Sequence, residues 1–223
     1  MLAPKSANVV VRANDFRPAR LDALWLASNG LFSPAELAEA ENKIFAPVVA
    51  ALRTDLISLF VTDDRLQVTA RDASEPAVDR AMAIGSALVK ALPQDVNPTS
   101  AGINSVWECG MEGGEAFSPD ILRSLFLPEG SPLVAHFPDA SSAFGSYVER
   151  EFGVFRVHLT IKPQQDTDGD GPTTALQCQF NFHHVPGSEN ARADVVEALA
   201  GWRGTWEFSE EVARSLVEGA HGR

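Results

Sequence analysis

Apolar and polar residues alternate most regularly in two segments near the C-terminal end of the chain. The segments 154–162 and 174–184 are joined by an acidic loop at 163–172 that contains glycine and proline. Their two-residue period predicts an antiparallel β-hairpin. Its apolar face would carry Phe155, Val157, Leu159, Ile161, Leu176, Cys178, Phe180 and Phe182. Its polar face would carry Arg156, His158, Thr160, Gln177, Gln179, Asn181 and His183.

The length of the loop suggests a register for this hairpin. If the ten residues 163–172 close symmetrically, Val157 faces Cys178 and His158 faces Gln177. Every apolar side chain then meets an apolar one, whereas a slip by one residue would mix the two faces, and slips by two residues stay open. In this register His158 lies roughly 20 Å from His183 along the strand, which argues against a shared metal ion.

Strands and helices alternate through the first half of the chain. Segment 8–13 is rich in β-branched residues and predicts a strand. A 3.6-residue period after Ser74 predicts a helix that ends at Pro93. Further strands are predicted at 56–61, 66–71 and 100–109.

A second helix is predicted from the sequence Ser33-Pro34-Ala35-Glu36, which has the form of a capping box with proline at the first helical position. We expect this helix to run to about residue 52, with a kink or an early end near Pro47. The resulting order of the first half is βαββαβ, which is that of ferredoxin-like domains.

The second half of the chain is predicted to contain one helix, then several strands including the hairpin, and finally two C-terminal helices. A glycine-rich segment at 110–115 is the best candidate for a boundary between two tightly associated subdomains, 1–110 and 111–223. The predicted elements after it are a helix from Ser118, strands at 133–137 and 143–151, the hairpin, a helix from Ser188 to about Ala200 and a last helix from Ser209. The fold class is therefore α+β, mainly antiparallel sheet with helices on one face, and the second half either extends the first sheet or forms its own layer.

Composition narrows the possible partners. The 223 residues carry a net charge of −12, with no run of lysine or arginine, so neither nucleic acid nor an anionic membrane is expected as a partner. The N-terminal residues lack the apolar core of a signal peptide, and Cys109 and Cys178 are expected to be reduced thiols, so a cytoplasmic location is predicted.

Metal sites receive little support from the sequence. Asp166, Asp168 and Asp170 follow the spacing of the first half of a calcium loop, but position twelve is Gln177 and the flanking segments predict strands. The loop is either a plain acidic turn or a weak calcium site. The histidines show none of the usual zinc spacings, and no cofactor is expected.

The polar face of the hairpin is the candidate binding surface. Its residues Arg156, His158, Gln177, Gln179, Asn181 and His183 include amides, which both donate and accept hydrogen bonds. Since no catalytic motif is present, the sequence leans toward a non-enzymatic interaction or assembly protein, either a homo-oligomer or part of a larger complex. The alternative is a small-molecule-binding protein or enzyme in which Arg156 holds an anion and His158 or His183 exchanges protons.

Three aromatic residues at the junction of the last two helices, Trp202, Trp206 and Phe208, are expected to pack on the sheet or to serve a partner.

Overall fold

Nine antiparallel strands form a single sheet in the structure, a computed structural model that describes residues 1–110, 117–127, 130–131, 133, 145–164 and 174–221. The strands are β1 (Leu2–Ala13), β2 (Glu41–Ala46), β3 (Val49–Arg53), β4 (Ile57–Val61), β5 (Arg65–Ala70), β6 (Pro98–Gly110), β7 (Ser146–Phe152), β8 (Phe155–Gln164) and β9 (Ala175–His184). The helices among the described residues are α1 (Ala23–Ser28), α2 (Pro34–Glu39), α3 (Glu75–Ala91), α4 (Pro119–Phe126), α5 (Ala191–Ala200) and α6 (Trp202–His221), with a 3-10 helix at Pro18–Arg20. This architecture confirms the predicted α+β class.

The strand order is β2-β3-β4-β5-β1-β6-β9-β8-β7, and it repeats one topology twice. In the first set of elements, β1 is followed by helices, then by a meander that ends in β5 beside β1, then by α3. In the second set, β6 is followed by α4, then by strands that end in β9 beside β6, then by α5 and α6. The pair β1–β6 joins the two sets. The strands of the second half therefore extend the first sheet and do not form a separate layer.

One face of the sheet forms the core. In β1, Val9 and Val11 are fully buried while Asn8 and Val10 are only partly buried, and β5, β8 and β9 show the same alternation. Helices α3, α5 and α6 pack against the sheet, so the buried face is the helix-covered one. No described element buries the opposite face, which we call the open face.

Two long-range contacts fix the position of α3. Its buried Gly85 faces Val9 of β1, and a Cβ atom at this position would overlap Cγ1 of the valine. Beyond its C-terminal end, Arg192 of α5 donates to the carbonyl oxygens of Leu92, Pro93 and Val96. Leu92 is the C-cap residue of α3, where carbonyls lack helical partners, so Arg192 caps this helix and ties α5 to the segment that follows it.

The helix predicted from residue 34 to about 52 is wrong beyond its first turns. The capping box of Ser33 and Glu36 is present, but α2 ends at Glu39 and is followed by β2 and β3. The strand conformation buries Ala50 and Leu52 against β4, whereas a helical stripe would have relied on Ile44 and Val48, which are exposed. Pairing with β4 therefore outweighs the local helical period.

The predicted break between the C-terminal helices is shorter than expected. Only Gly201 separates α5 from α6, so the last helix begins at Trp202 and not at Ser209. Ser209 is fully buried within α6, and its hydroxyl donates to the carbonyl of Thr205 at 2.7 Å. Its hydroxyl thus has a partner within the helix and is not needed as a cap.

The hairpin forms with the predicted faces but in a different register. Val157 stands opposite Phe182 and His158 opposite Asn181, whereas Cys178 and Gln177 were expected there. The reason is that β8 continues through Pro163 to Gln164, which pairs with Ala175, so the connection both begins and ends two residues later than assumed and each partner moves by four residues. Because the shift preserves parity, every side chain keeps its face.

The other predicted elements mostly correspond to observed ones. The hairpin β4–β5, helix α3, strand β6 and helix α4 with its Ser118 cap are confirmed, and the strand predicted at 143–151 corresponds to β7. The strand predicted at 133–137 lies, apart from Leu133, outside the described residues. In the first half, β2 and β3 stand between the predicted first helix and β4, so the observed order is longer than βαββαβ.

Candidate functional site

A row of polar residues crosses the open face of the sheet, with one residue from each of the nine strands. Each is the direct register partner of the next. In order across the sheet, this transverse row consists of Glu41, Arg53, Ser58, Thr69, Asn8, Asn104, Asn181, His158 and Glu149. Adjacent strands lie about 4.8 Å apart, so the row spans about 40 Å.

Three asparagines at the centre of the transverse row are linked through their side chains. Asn104 donates from Nδ2 to Oδ1 of Asn8 at 2.9 Å, and Asn181 donates from Nδ2 to Oδ1 of Asn104 at 2.6 Å. The amide of Asn104 thus uses both of its groups within the sheet. At the two ends of this chain of side chains, the NH2 group of Asn8 and the carbonyl oxygen of Asn181 are not used by it, so one donor group and one acceptor group face a bound molecule.

A shallow cavity of about 480 Å³ adjoins these asparagines, and Gly102 forms part of its floor. Gly102 stands between Val10 and His183 in the sheet and has no side chain to fill the space. We call this cavity the Gly102 depression. Its polar lining includes Arg12, Arg65, Gln67, Asn104, Asn181 and His183.

The two arginines of the depression differ in their surroundings. Arg12 is exposed and forms an ion pair with Asp64, whereas Arg65 is partly buried and donates from Nη2 to Gln67. Nε of Arg65 is buried and has no hydrogen-bond partner among the described residues. On the other side, burial and the neighbouring His158 and His184 lower the pKa of His183. The depression therefore pairs permanent positive charge with an imidazole held toward its neutral form.

The outer strands β7 and β8 carry an ion-pair cluster on the same face. Arg156 contacts both Glu149 and Glu151, and His158 contacts Tyr147 at 2.7 Å and Glu149 at 3.0 Å through Nδ1. The hydrogen bond from Arg156 lowers the pKa of Glu149, and the same carboxylate raises the pKa of Arg156. The guanidinium that the sequence suggested for a bound anion is thus already matched by two carboxylates of the chain.

All six residues predicted for the binding surface lie on the open face, in three groups. Arg156 stands opposite His183, and His158 stands opposite Asn181. Gln177 and Gln179 lie farther along β9 and are hydrogen-bonded to each other. Only Asn181 and His183 line the Gly102 depression.

The predicted distance between His158 and His183 is wrong. In the observed register they are diagonal neighbours on β8 and β9, where roughly 7–8 Å is typical, and not six residues apart. The argument that distance alone prevents a shared ion therefore fails. Among the described residues, however, no group of three or more histidine, cysteine, aspartate or glutamate side chains could hold a metal ion. The candidate calcium ligands Asp166, Asp168 and Asp170 lie outside the described residues.

Several residues of the open face were not identified as site residues from the sequence. Asn8, Arg12, Arg65 and Gln67 come from β1 and β5, far from the hairpin in the chain. In β5 the alternation of Arg65 and Gln67 with buried Leu66 and Val68 is visible in the sequence, whereas in β1 three successive valines hide it. What was missing was the strand order, which places β5 and β1 beside β6 and β9.

The two cysteines lie on the opposite, helix-covered face. Cys109 and Cys178 are both fully buried, and their sulfur atoms are 3.7 Å apart across β6 and β9. The hydrogen bond with Cys109, together with burial, raises the pKa of Cys178. Such an environment keeps a thiol protonated and poorly nucleophilic.

No family model matches the chain, and no curated protein matches it. Within the described parts of the chain, none of the helices is both long and apolar enough to cross a membrane.

Proposed function

We propose that the chain is a non-enzymatic interaction protein that binds a second copy of itself through the open face of its sheet. The observation that carries this proposal is the combination of exposed apolar and hydrogen-bonding groups on one broad surface. Ile44, Phe60 and Tyr147 are 49%, 44% and 62% exposed, and all three lie on the open face beside the transverse row. Exposed aromatic and aliphatic residues among polar ones are typical of protein interfaces.

One feature favours a second copy as the partner. Amides both donate and accept, so the same asparagine row can meet itself across a two-fold axis. With this axis parallel to the strands, the central strands β1 and β6 of the two copies face each other, so Asn8 and Asn104 lie close to the axis.

The experiment is to measure mass in solution by light scattering over a range of concentrations. We expect the wild-type protein to exceed its chain mass of 24.0 kDa, and Phe60→Arg or Asn181→Arg to return it to that mass. Leu24→Arg is the matched control, because Leu24 is 75% exposed on α1 and does not belong to the sheet. A wild-type protein that stays at the chain mass would contradict self-association. If another protein co-purifies with the wild type and with Leu24→Arg but is lost from Phe60→Arg, the partner of the open face is that protein and not a second copy.

A second candidate function is the binding of a small anionic molecule, and the Gly102 depression is the observation that favours it. Arg12, Arg65 and His183 converge on the depression, and a new Cβ at residue 102 would make only ordinary contact, 3.8 Å from the carbonyl of Phe182. The Cβ atom of Gly102→Val is therefore accommodated, and the methyl groups of the new side chain take up space in the depression. Under this candidate, inorganic phosphate shifts the imidazole resonances of His183 in the wild-type protein and does not in Gly102→Val. An equal response of both proteins would contradict it.

We also propose a cytoplasmic location and a ferredoxin-like arrangement of the first half. The chain would consist of two tightly associated subdomains, 1–110 and 111–223. The side-by-side order β4-β5-β1-β6 supports the ferredoxin-like arrangement if β2 and β3 are an addition at the sheet edge. The close, unbridged thiols of Cys109 and Cys178 support a reducing compartment.

A further inference from the structure

A cavity of about 630 Å³ lies on the helix-covered side of the sheet, away from the open face. Leu2 and Pro4 of β1 and Trp107 of β6 contribute from the sheet, while Trp202 and Trp206 of α6 contribute from the helices. The rings of Trp107 and Trp206 are 4.8 Å apart and tilted by 50°. We call this the tryptophan cavity. Its volume falls in the range of small-molecule sites.

Trp107 contributes its indole ring to the wall of the tryptophan cavity. The side chain is 97% buried, since only 3% is exposed, and its Nε1 has no hydrogen-bond partner in the described part of the chain. This nitrogen has less than 1 Å² of accessible surface, so an acceptor in the cavity does not reach it. A guest therefore contacts the ring of Trp107 and not its N–H group.

The rim of the tryptophan cavity has more negative than positive charge. Arg203 is bound by Glu75 at 3.2 Å and by Asp79 at 2.7 Å, and Arg214 is bound by Glu210 at 2.5 Å. Both guanidinium groups are therefore matched by carboxylates. Glu207 also lines the cavity and is exposed, and among the described residues it has no ion-pair partner.

The tryptophan rings give the same electrostatic preference. The guanidinium of Arg203 lies 4.8 Å from the ring centre of Trp202, so a cation already occupies the face of one ring. Indole faces attract cations more strongly than those of tyrosine or phenylalanine. A cavity with indole walls and an unpaired carboxylate at its rim selects a positively charged guest with an apolar body.

We propose that the tryptophan cavity binds a small organic cation, an ammonium group on a flat apolar body. The ammonium group lies near Glu207 at the rim, and the body packs against the rings of Trp107, Trp202 and Trp206. This site is separate from the open face, so its failure and that of the proposed function are distinguishable.

The test uses three probes with the same phenoxy body: 2-phenoxyethylamine, 2-phenoxyethanol and phenoxyacetate. Their binding to the full chain is followed through the indole N–H resonances of the four tryptophans. We expect the amine to bind about two- to fivefold more tightly than the alcohol, and the carboxylate most weakly. The resonance of Trp107 should shift, while that of Trp25, on α1 and outside the cavity, should not.

Variants separate charge recognition from simple apolar binding. In Glu207→Gln the preference for the amine over the alcohol should disappear, while Glu211→Gln, an exposed residue of the same helix outside the cavity, should keep it. Equal affinity for all three probes, tightest binding of the carboxylate, or no shift of Trp107 with any probe would overturn the proposal. Because Glu207 is exposed, its substitution leaves the core intact.

Discussion

Gly85 of α3 lies directly against Val9 of β1, at the point where the helix crosses the centre of the sheet. Both residues are buried. The absence of a side chain at residue 85 allows the helix to approach the strand closely, and this approach brings α3 near both β5 and β1. The close approach of α3 to β1 therefore depends on the absence of a side chain at residue 85.

Replacing Gly85 with alanine should destabilise the protein. The new methyl group overlaps Val9, at a cost of about 1–3 kcal/mol for overpacking, which exceeds the gain of about 1 kcal/mol in helix propensity. Urea denaturation measures the change in the free energy of unfolding. Adding Val9→Ala should make the double variant more stable than the sum of the two single changes, because the two sites share one space. A more stable Gly85→Ala protein would contradict the close contact.

Replacing Arg192 with methionine should also destabilise the protein, although the apolar stem of the side chain is retained. The variant leaves the carbonyls of Leu92, Pro93 and Val96 without their charged donor, at a cost of about 1.5–3 kcal/mol. Thermal and urea unfolding measure this loss. Arg20→Met is the control, since Arg20 is exposed at the end of the 3-10 helix, and a similar loss there would contradict the capping role of Arg192.

The stability of the protein should fall as the pH drops through the ordinary histidine pKa of 6.5. Burial lowers the pKa of His183 in the folded state, so the unfolded chain takes up the proton first and acid favours unfolding. The contribution is fully present above the unfolded pKa and is lost as the pH falls toward the folded pKa. Urea unfolding across this range should show a weaker pH dependence in His183→Gln. Parallel curves for the two proteins would contradict the burial of this imidazole.

The thiols should resist modification in the native protein. Cys109 and Cys178 are fully buried, so a reagent in the solvent does not reach either sulfur atom. A disulfide-exchange reagent such as Ellman's reagent should react with both thiols only at the rate of unfolding. In denaturant the same sample should react at once with two equivalents, one for each cysteine. Rapid reaction of either thiol without denaturant would be inconsistent with their burial.

The faces of the strands were predictable from the sequence because burial on one side imposes a two-residue period. Val157 and His158 lie on the predicted faces even though their partners differ from those expected. The register was not predictable in the same way, because a shift that keeps parity leaves every face unchanged. The predicted register depended on where the loop was assumed to begin and end. Pro163 was assigned to the loop, but it lies within β8.

The segment after α2 shows where local patterns fail. Residues 44, 48 and 52 have helical spacing, and residues 50 and 52 also have strand spacing, so the sequence alone supports both states. Pairing with β4 decides between them, and that is a contact between distant segments. The same limit applies to the candidate site, because Asn8 and Asn181 share it only through the strand order.

The junction between β1 and β6 has the symmetry of a dimer within one chain. The two strands begin the two repeated sets of elements and pair in antiparallel fashion, and Asn8 stands opposite Asn104 at their centre. The two sets differ in size, with five strands in the first and four in the second. Because one chain carries both sets, they are not required to be identical, as the subunits of a homodimer are. The additional strand of the first set and the carboxylates of Glu149 and Glu151 at the outer edge of the second are such differences.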